Sequence, residues 1–248
     1  MRNFKLTLEY DGTDFFGWQV QPDRRTVQGE ISTAFQELSR EPVKVVGAGR
    51  TDAGVHAIRQ VANASLDTRL GPDVLRRALN AKLPPDIRVR EVAEVPLSFN
   101  ARFDAKSRTY DYLFIRRPSA LWWRYFLLVE DELEVASMRR AVQKLIGEQD
   151  FSSFASSADT CVSKRCNVMR AELTGIMPLL VFTITADHFL HHMVRTIAGT
   201  LLEIGRGKSL HIGEILEKRN RSAAGPTLPP HALYLMDIHY RSPGAPTR

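Results

Sequence analysis

The densest cluster of chemically capable side chains is Gly47-Ala48-Gly49-Arg50-Thr51-Asp52-Ala53-Gly54-Val55-His56-Ala57. Its three glycines permit close backbone approach or positive φ, and Arg50-Thr51-Asp52 is too polar for a buried strand. The segment therefore reads as a functional loop that presents an aspartate beside an arginine. Such a carboxylate can be a nucleophile, a base, a metal ligand or a turn former, and by residue type alone the turn is favoured. The arginine can hold an anion or pair with the carboxylate itself.

A second cluster is His188-Phe189-Leu190-His191-His192-Met193-Val194-Arg195. His188, His191, His192 and Arg195 follow at helical steps, which predicts one shared face on a helix over 188–204. A metal-ligating face is conceivable, but no H-E-x-x-H pattern occurs, and a polar or packed face is the favoured reading. Gly207-Lys208-Ser209 resembles the end of a phosphate-binding loop, yet the required first glycine is Leu202. Cys161 and Cys166 form a lone C-x4-C pair, which argues against a four-cysteine zinc site or a disulfide framework and points to reduced thiols.

The whole chain bounds what these clusters can serve. Its 248 residues, 44% hydrophobic and 25% charged, suffice for one or two packed cores and argue against disorder. No apolar run reaches the roughly 18 to 20 residues of a membrane span, and the N-terminal residues lead into alternation rather than a signal-peptide core. A cytoplasmic protein with no membrane partner is expected. The net charge of +6 comes from 26 Arg and 8 Lys against 28 acidic residues. Guanidinium groups pair with phosphate and stack on bases, so this balance suits a nucleic acid, although a solvated surface would also account for it.

The elements that must position the clusters follow from hydrophobic period. Phe4, Leu6, Leu8 and Tyr10 alternate with Lys5, Thr7 and Glu9, which predicts a strand. Val27, Ile31, Ala34, Phe35 and Leu38 have helical spacing behind Thr26 as N-cap. Strands over 43–46 and 61–66, a helix over 72–79 and a strand over 87–95 complete the order βαββαβ. The second half repeats it, with strands around Tyr110, over 168–174, 179–186 and 233–240, and helices over 138–145 and 188–204; a short extra helix is expected over 212–219. The fold class is α+β, as two tandem ferredoxin-like units. Their expected limits are 1–105 and 106–241, with a hinge at 100–107 and a mobile tail at 242–248.

These segments, in this order, resemble the tRNA pseudouridine synthase A family. The resemblance is carried by Tyr10-Asp11-Gly12, Phe16-Gly17-Trp18-Gln19, Thr26-Val27-Gln28-Gly29, Gly49-Arg50-Thr51-Asp52-Ala53-Gly54-Val55-His56-Ala57, Phe99-Asn100-Ala101-Arg102-Phe103, Asp150-Phe151-Ser152-Ser153-Phe154 and Phe189-Leu190-His191-His192-Met193-Val194-Arg195. They span nearly the whole chain. Two positions depart from the family pattern: Thr196 stands where Asn is common, and Ala232 where Gly is usual.

The resemblance implies an isomerase that converts uridines of the tRNA anticodon stem-loop, at tRNA positions 38, 39 and 40, to pseudouridine. It implies no cofactor and no metal, because the reaction is neither redox nor hydrolytic. Asp52 matches the family's catalytic aspartate, which would attack C1′ or C6 or stabilise a glycal path. Arg195 matches the arginine that keeps it charged, and Tyr110 the tyrosine that stacks on uracil near the C5 proton. Arg50, with Thr51 and His56 from the same string, is expected at the RNA, Arg50 taking part where the base has flipped. These assignments draw on both units, which predicts one extended, mostly antiparallel mixed sheet, helices on one face, and a central catalytic cleft. A homodimer holding tRNA across both subunits is implied as well. Trp18, Trp122 and Trp123 could stack on bases, although burial is the favoured fate of each, and the loop 118–126 is the one most expected to touch RNA.

Two other functions compete. A non-catalytic RNA-binding protein on the same scaffold would gain nothing from a carboxylate facing phosphate. A metal-dependent hydrolase using Asp52 with His188, His191 and His192 would hold zinc and lose activity to a chelator.

Overall fold

The computed structural model describes residues 1–39 and 41–240; the expected tail at 242–248 lies outside the described residues. The chain forms an α+β structure of two compact units with mostly antiparallel sheets. One comprises Met1–Lys106 together with Tyr234–Tyr240, the other Ser107–Leu233. The last strand, from Tyr234, groups with the first unit. Its first residues, Tyr234 and Leu235, run parallel to His56 and Ala57 of the first unit. Sequence order says nothing about which sheet a terminal strand joins.

In the first unit β1 (Arg2–Tyr10) is flanked by β3 (His56–Leu66) and β4 (Ile87–Val95), both antiparallel to it. The short β2 (Val45–Gly47) pairs with the far half of β3, and β10 (Leu233–Tyr240) with its start. Strand order is thus β4-β1-β3, followed by β2 and β10 along one edge of β3. The alternation in β1 has its expected effect: Phe4, Leu6 and Leu8 are completely buried. The helices α1 (Val27–Ser39) and α2 (Pro72–Lys82) bury Val27, Ile31, Phe35, Leu75 and Leu79. Thr26 Oγ1 accepts from Gly29 N–H at 3.3 Å, satisfying one of the otherwise orphaned donors of α1.

In the second unit β5 (Ala105–Ile115), β9 (Leu179–Ala186), β8 (Arg165–Thr174) and β7 (Gly147–Asp150) follow one another antiparallel, with a two-residue β6 (Leu127–Leu128) parallel to the end of β5. Tyr110, Tyr112 and Phe114 all point to the buried face of β5. The helices are α3 (Val135–Val142), α4 (Met193–Gly205) and α5 (Ile212–Lys218). Of α4, only Arg195 is not buried.

One expected helix is shortened. Residues 188–192 are not helical, and α4 starts only at Met193 because His192 adopts φ +64°. Before it, the Asp187 carboxylate accepts from the backbone N–H groups of Asn167 and His188, at 3.0 and 2.7 Å, and holds the chain in a turn. His188, His191, His192 and Arg195 therefore do not share a helix face.

Candidate active site

The segment that carries Asp52 spans the gap between β2 and β3 and is fastened at both ends. Ala48 N–H donates to Val61 O at 2.8 Å, and Val55 N–H to Asp52 O at 3.2 Å. A second loop, following β1, lies against it: Trp18 N–H donates to Thr51 O at 3.0 Å, and Gly54 N–H to Phe15 O at 3.3 Å. Glycine is required twice in that second loop. Gly17 has φ +84° beside the Thr51 carbonyl, and a Cβ on Gly12 would overlap the Val55 carbonyl. Beneath lies Trp18, 2% exposed, with its ring 6.2 Å from that of Tyr10 and packed against Gly47.

This frame leaves the Asp52 side chain half-buried and Arg50 exposed, while Thr51 is buried. His56 closes the same segment. As the first residue of β3 it is 2% exposed, its ring stacks 4.7 Å from Tyr234, and Gly12 N–H donates to its Nδ1 at 3.0 Å beside the Asp11 carboxylate. Its ring thereby ties the loop after β1 to the start of β3. Tyr10 and Gln60, to which the sequence assigns no site role, are both buried under the loop, where Tyr10 Oη lies 2.8 Å from Thr51 Oγ1 and Gln60 Nε2 donates to Gly49 O at 2.9 Å. Gln60 carried one available signal, a lone amide beside the apolar run that begins at Val61.

The second unit holds Tyr110 and Arg195. Tyr110 on β5 is 8% exposed and meets Phe189 edge-on at 5.0 Å. Tyr112, two residues on, donates its hydroxyl to Pro229 O at 2.8 Å; burial pushes its phenol up, against the opposing pull of the Arg195 charge. Arg195, in the first turn of α4, donates from Nε to Leu228 O at 2.7 Å, which fixes the direction of its side chain. Arg50, Thr51, Asp52 and His56 are thus gathered on one strand–loop–strand segment, and Tyr110 and Arg195 are held in the other unit.

The remaining candidates divide. Trp18 is buried as expected, but Trp122 and Trp123 are 46% and 63% exposed, against the expectation of burial. The Arg124 guanidinium lies 5.1 Å from the Trp123 ring centre. Both cysteines are free thiols, and burial pushes Cys166 up to about 12, with His188 Nε2 3.5 Å from its sulfur. No helix among the described residues is long and apolar enough to cross a membrane.

Comparison with known proteins bears on the whole chain. The sequence pattern of the family described as tRNA pseudouridine synthase matches residues 7–104 and 141–241. A tRNA pseudouridine synthase A of Caldicellulosiruptor bescii is 43% identical over 244 residues, covering 97% of this chain and 100% of that protein. The one from Caldicellulosiruptor saccharolyticus is 44% identical over 245 residues, with 97% and 100% covered. That of Acetivibrio thermocellus is 41% identical over 244 residues, with the same coverage.

Proposed function

The chain belongs to the tRNA pseudouridine synthase family, and on that premise we propose that Asp52 is the group with which this isomerase converts uridines of the tRNA anticodon stem-loop. Isomerisation exchanges the N1–C1′ bond for a C5–C1′ bond: the base is released, turns and reattaches, C5 loses its proton and N1 gains one. The atoms balance within the substrate. The protein's tasks are to engage the sugar or base with an anion, to stabilise charge and to move a proton.

The observation that carries this reading is the loop at 48–55. It sets a half-buried carboxylate on a frame of backbone hydrogen bonds, in a segment that the family pattern covers. A nucleophile needs such fixity, because loss of alignment by about 1 Å costs rate steeply. Arg195 is the cation that stabilises charge during the reaction, and Tyr110 supplies a ring for the uracil and a hydroxyl for the C5 proton. Arg50, exposed beside Asp52, grips the RNA where the target base has left its stack. The exposed Trp122 and Trp123, with Arg124, form a stacking surface for RNA at a distance from the chemistry in sequence. The enzyme acts as a homodimer in the cytoplasm. We read the β4-β1-β3-β2 order of the first unit as ferredoxin-like, and the second unit as its structural repeat.

The test is to incubate the purified protein with unmodified, prefolded tRNA transcripts and to map pseudouridine by chemical probing. Formation confined to the anticodon stem-loop, undiminished by exhaustive chelation once tRNA structure has been checked, is expected. Modification elsewhere, or activity restored to a chelated sample only by zinc, would overturn the reading.

A further inference from the structure

Beneath the Asp52 loop lies a chain of polar side chains that the reaction just described leaves without a role. Tyr10, Thr51 and Gln60 are 3%, 7% and 0% exposed. Gln60 Oε1 accepts from Val61 N–H at 3.1 Å, and Nε2 donates to Gly49 O at 2.9 Å and to the Tyr10 oxygen at 3.4 Å. The reversed amide would set two acceptors against each other at Gly49 and two donors at Val61, so the orientation is fixed. The Tyr10 hydroxyl also shares a hydrogen bond with Thr51 Oγ1, 2.8 Å away. The chain thus runs from Gln60 through Tyr10 to Thr51. Burial pushes the Tyr10 phenol up to about 12, so it remains a donor at neutral pH.

We propose that Tyr10 and Gln60 are positioning residues for catalysis, which hold the loop from Gly49 to Thr51 so that Asp52 keeps a single geometry. The proposal rests on the reading that Asp52 performs the chemistry. Stability alone is a poor reason for the chain. Three buried polar side chains contribute little net stability over apolar groups of the same shape, whereas a satisfied network specifies one arrangement of the backbone above it. Two of its three ends fall on the residues immediately preceding Arg50 and Asp52.

The experiment compares Tyr10→Phe, Gln60→Met, Thr51→Val and Thr51→Ser with wild type and with Asp52→Asn. It measures kcat and KM on prefolded tRNA transcript well below each variant's melting temperature, with rates divided by the folded fraction. Tyr10→Phe, Gln60→Met and Thr51→Val should lose about tenfold to a hundredfold in kcat with KM within about twofold of wild type. Thr51→Ser, which restores the hydroxyl, should recover most of what Thr51→Val loses. Wild-type kcat in Tyr10→Phe and Thr51→Val beside an inactive Asp52→Asn would overturn the positioning role and leave Asp52 in place. Losses that vanish once folded fraction is counted would assign the chain to stability and overturn the proposal equally. An active Asp52→Asn would remove the premise itself.

Discussion

Two loops of this protein combine arginine with nearby tryptophan, and they use the pair in opposite ways. At 48–55 the indole of Trp18 is buried beneath the loop, and the backbone above it is bonded to Val61 and Trp18. At 118–126 the indoles of Trp122 and Trp123 face outward, and Tyr125 and Phe126 N–H groups donate back to Trp122 O at 2.9 and 3.0 Å. The first arrangement spends its aromatic surface on holding a carboxylate still. The second leaves it for a partner. Chemistry at a single carbon requires a fixed anion, whereas gripping a nucleic acid tolerates adjustment and gains from exposed rings.

Breaking each loop should separate the two uses. Trp18→Ala opens a cavity under the catalytic loop and should cost about 3 to 5 kcal/mol of stability, read by denaturant unfolding; a loss below about 1 kcal/mol would mean that the indole is not the support described. Tyr110→Phe keeps the ring and removes the hydroxyl, and should slow kcat by about a hundredfold without changing the melting temperature; a full rate would exclude the hydroxyl from handling the C5 proton. Trp122→Ala with Trp123→Ala should weaken tRNA binding by about 1 to 3 kcal/mol in a filter or anisotropy titration while stability shifts by no more than about 0.5 kcal/mol. Unchanged tRNA affinity would dismiss the loop at 118–126 as an RNA contact.

What the sequence disclosed divides along physical lines. Strict alternation marked β1, and the strands over 87–95, 179–186 and 233–240 agree with β4, β9 and β10 to the residue, because a half-buried strand writes its period directly into residue type. The helix over 188–204 was half legible: its apolar run is α4, but the histidine spacing before it imitates a helix that Asp187 and the positive φ of His192 prevent. β7 at Gly147–Asp150 is only four residues long and largely polar, which leaves no period to detect. The loop with Asp52 stood out through its glycines and polarity, whereas Tyr10 hides within an apolar alternation and Gln60 is a single amide. Their function lies in contacts with residues 50 and 41 positions away, and no local pattern encodes those.

The most direct test of the account replaces one oxygen. Asp52→Asn should preserve the loop, since the amide is nearly isosteric, and purified variant and wild type would be compared for pseudouridine formation and for affinity on the same prefolded tRNA. Turnover should fall below about 1% of wild type, with tRNA affinity within about twofold, because the amide cannot serve as the anion that the reaction needs. Turnover above about 1% in that variant, with contaminating wild-type enzyme excluded, would contradict it.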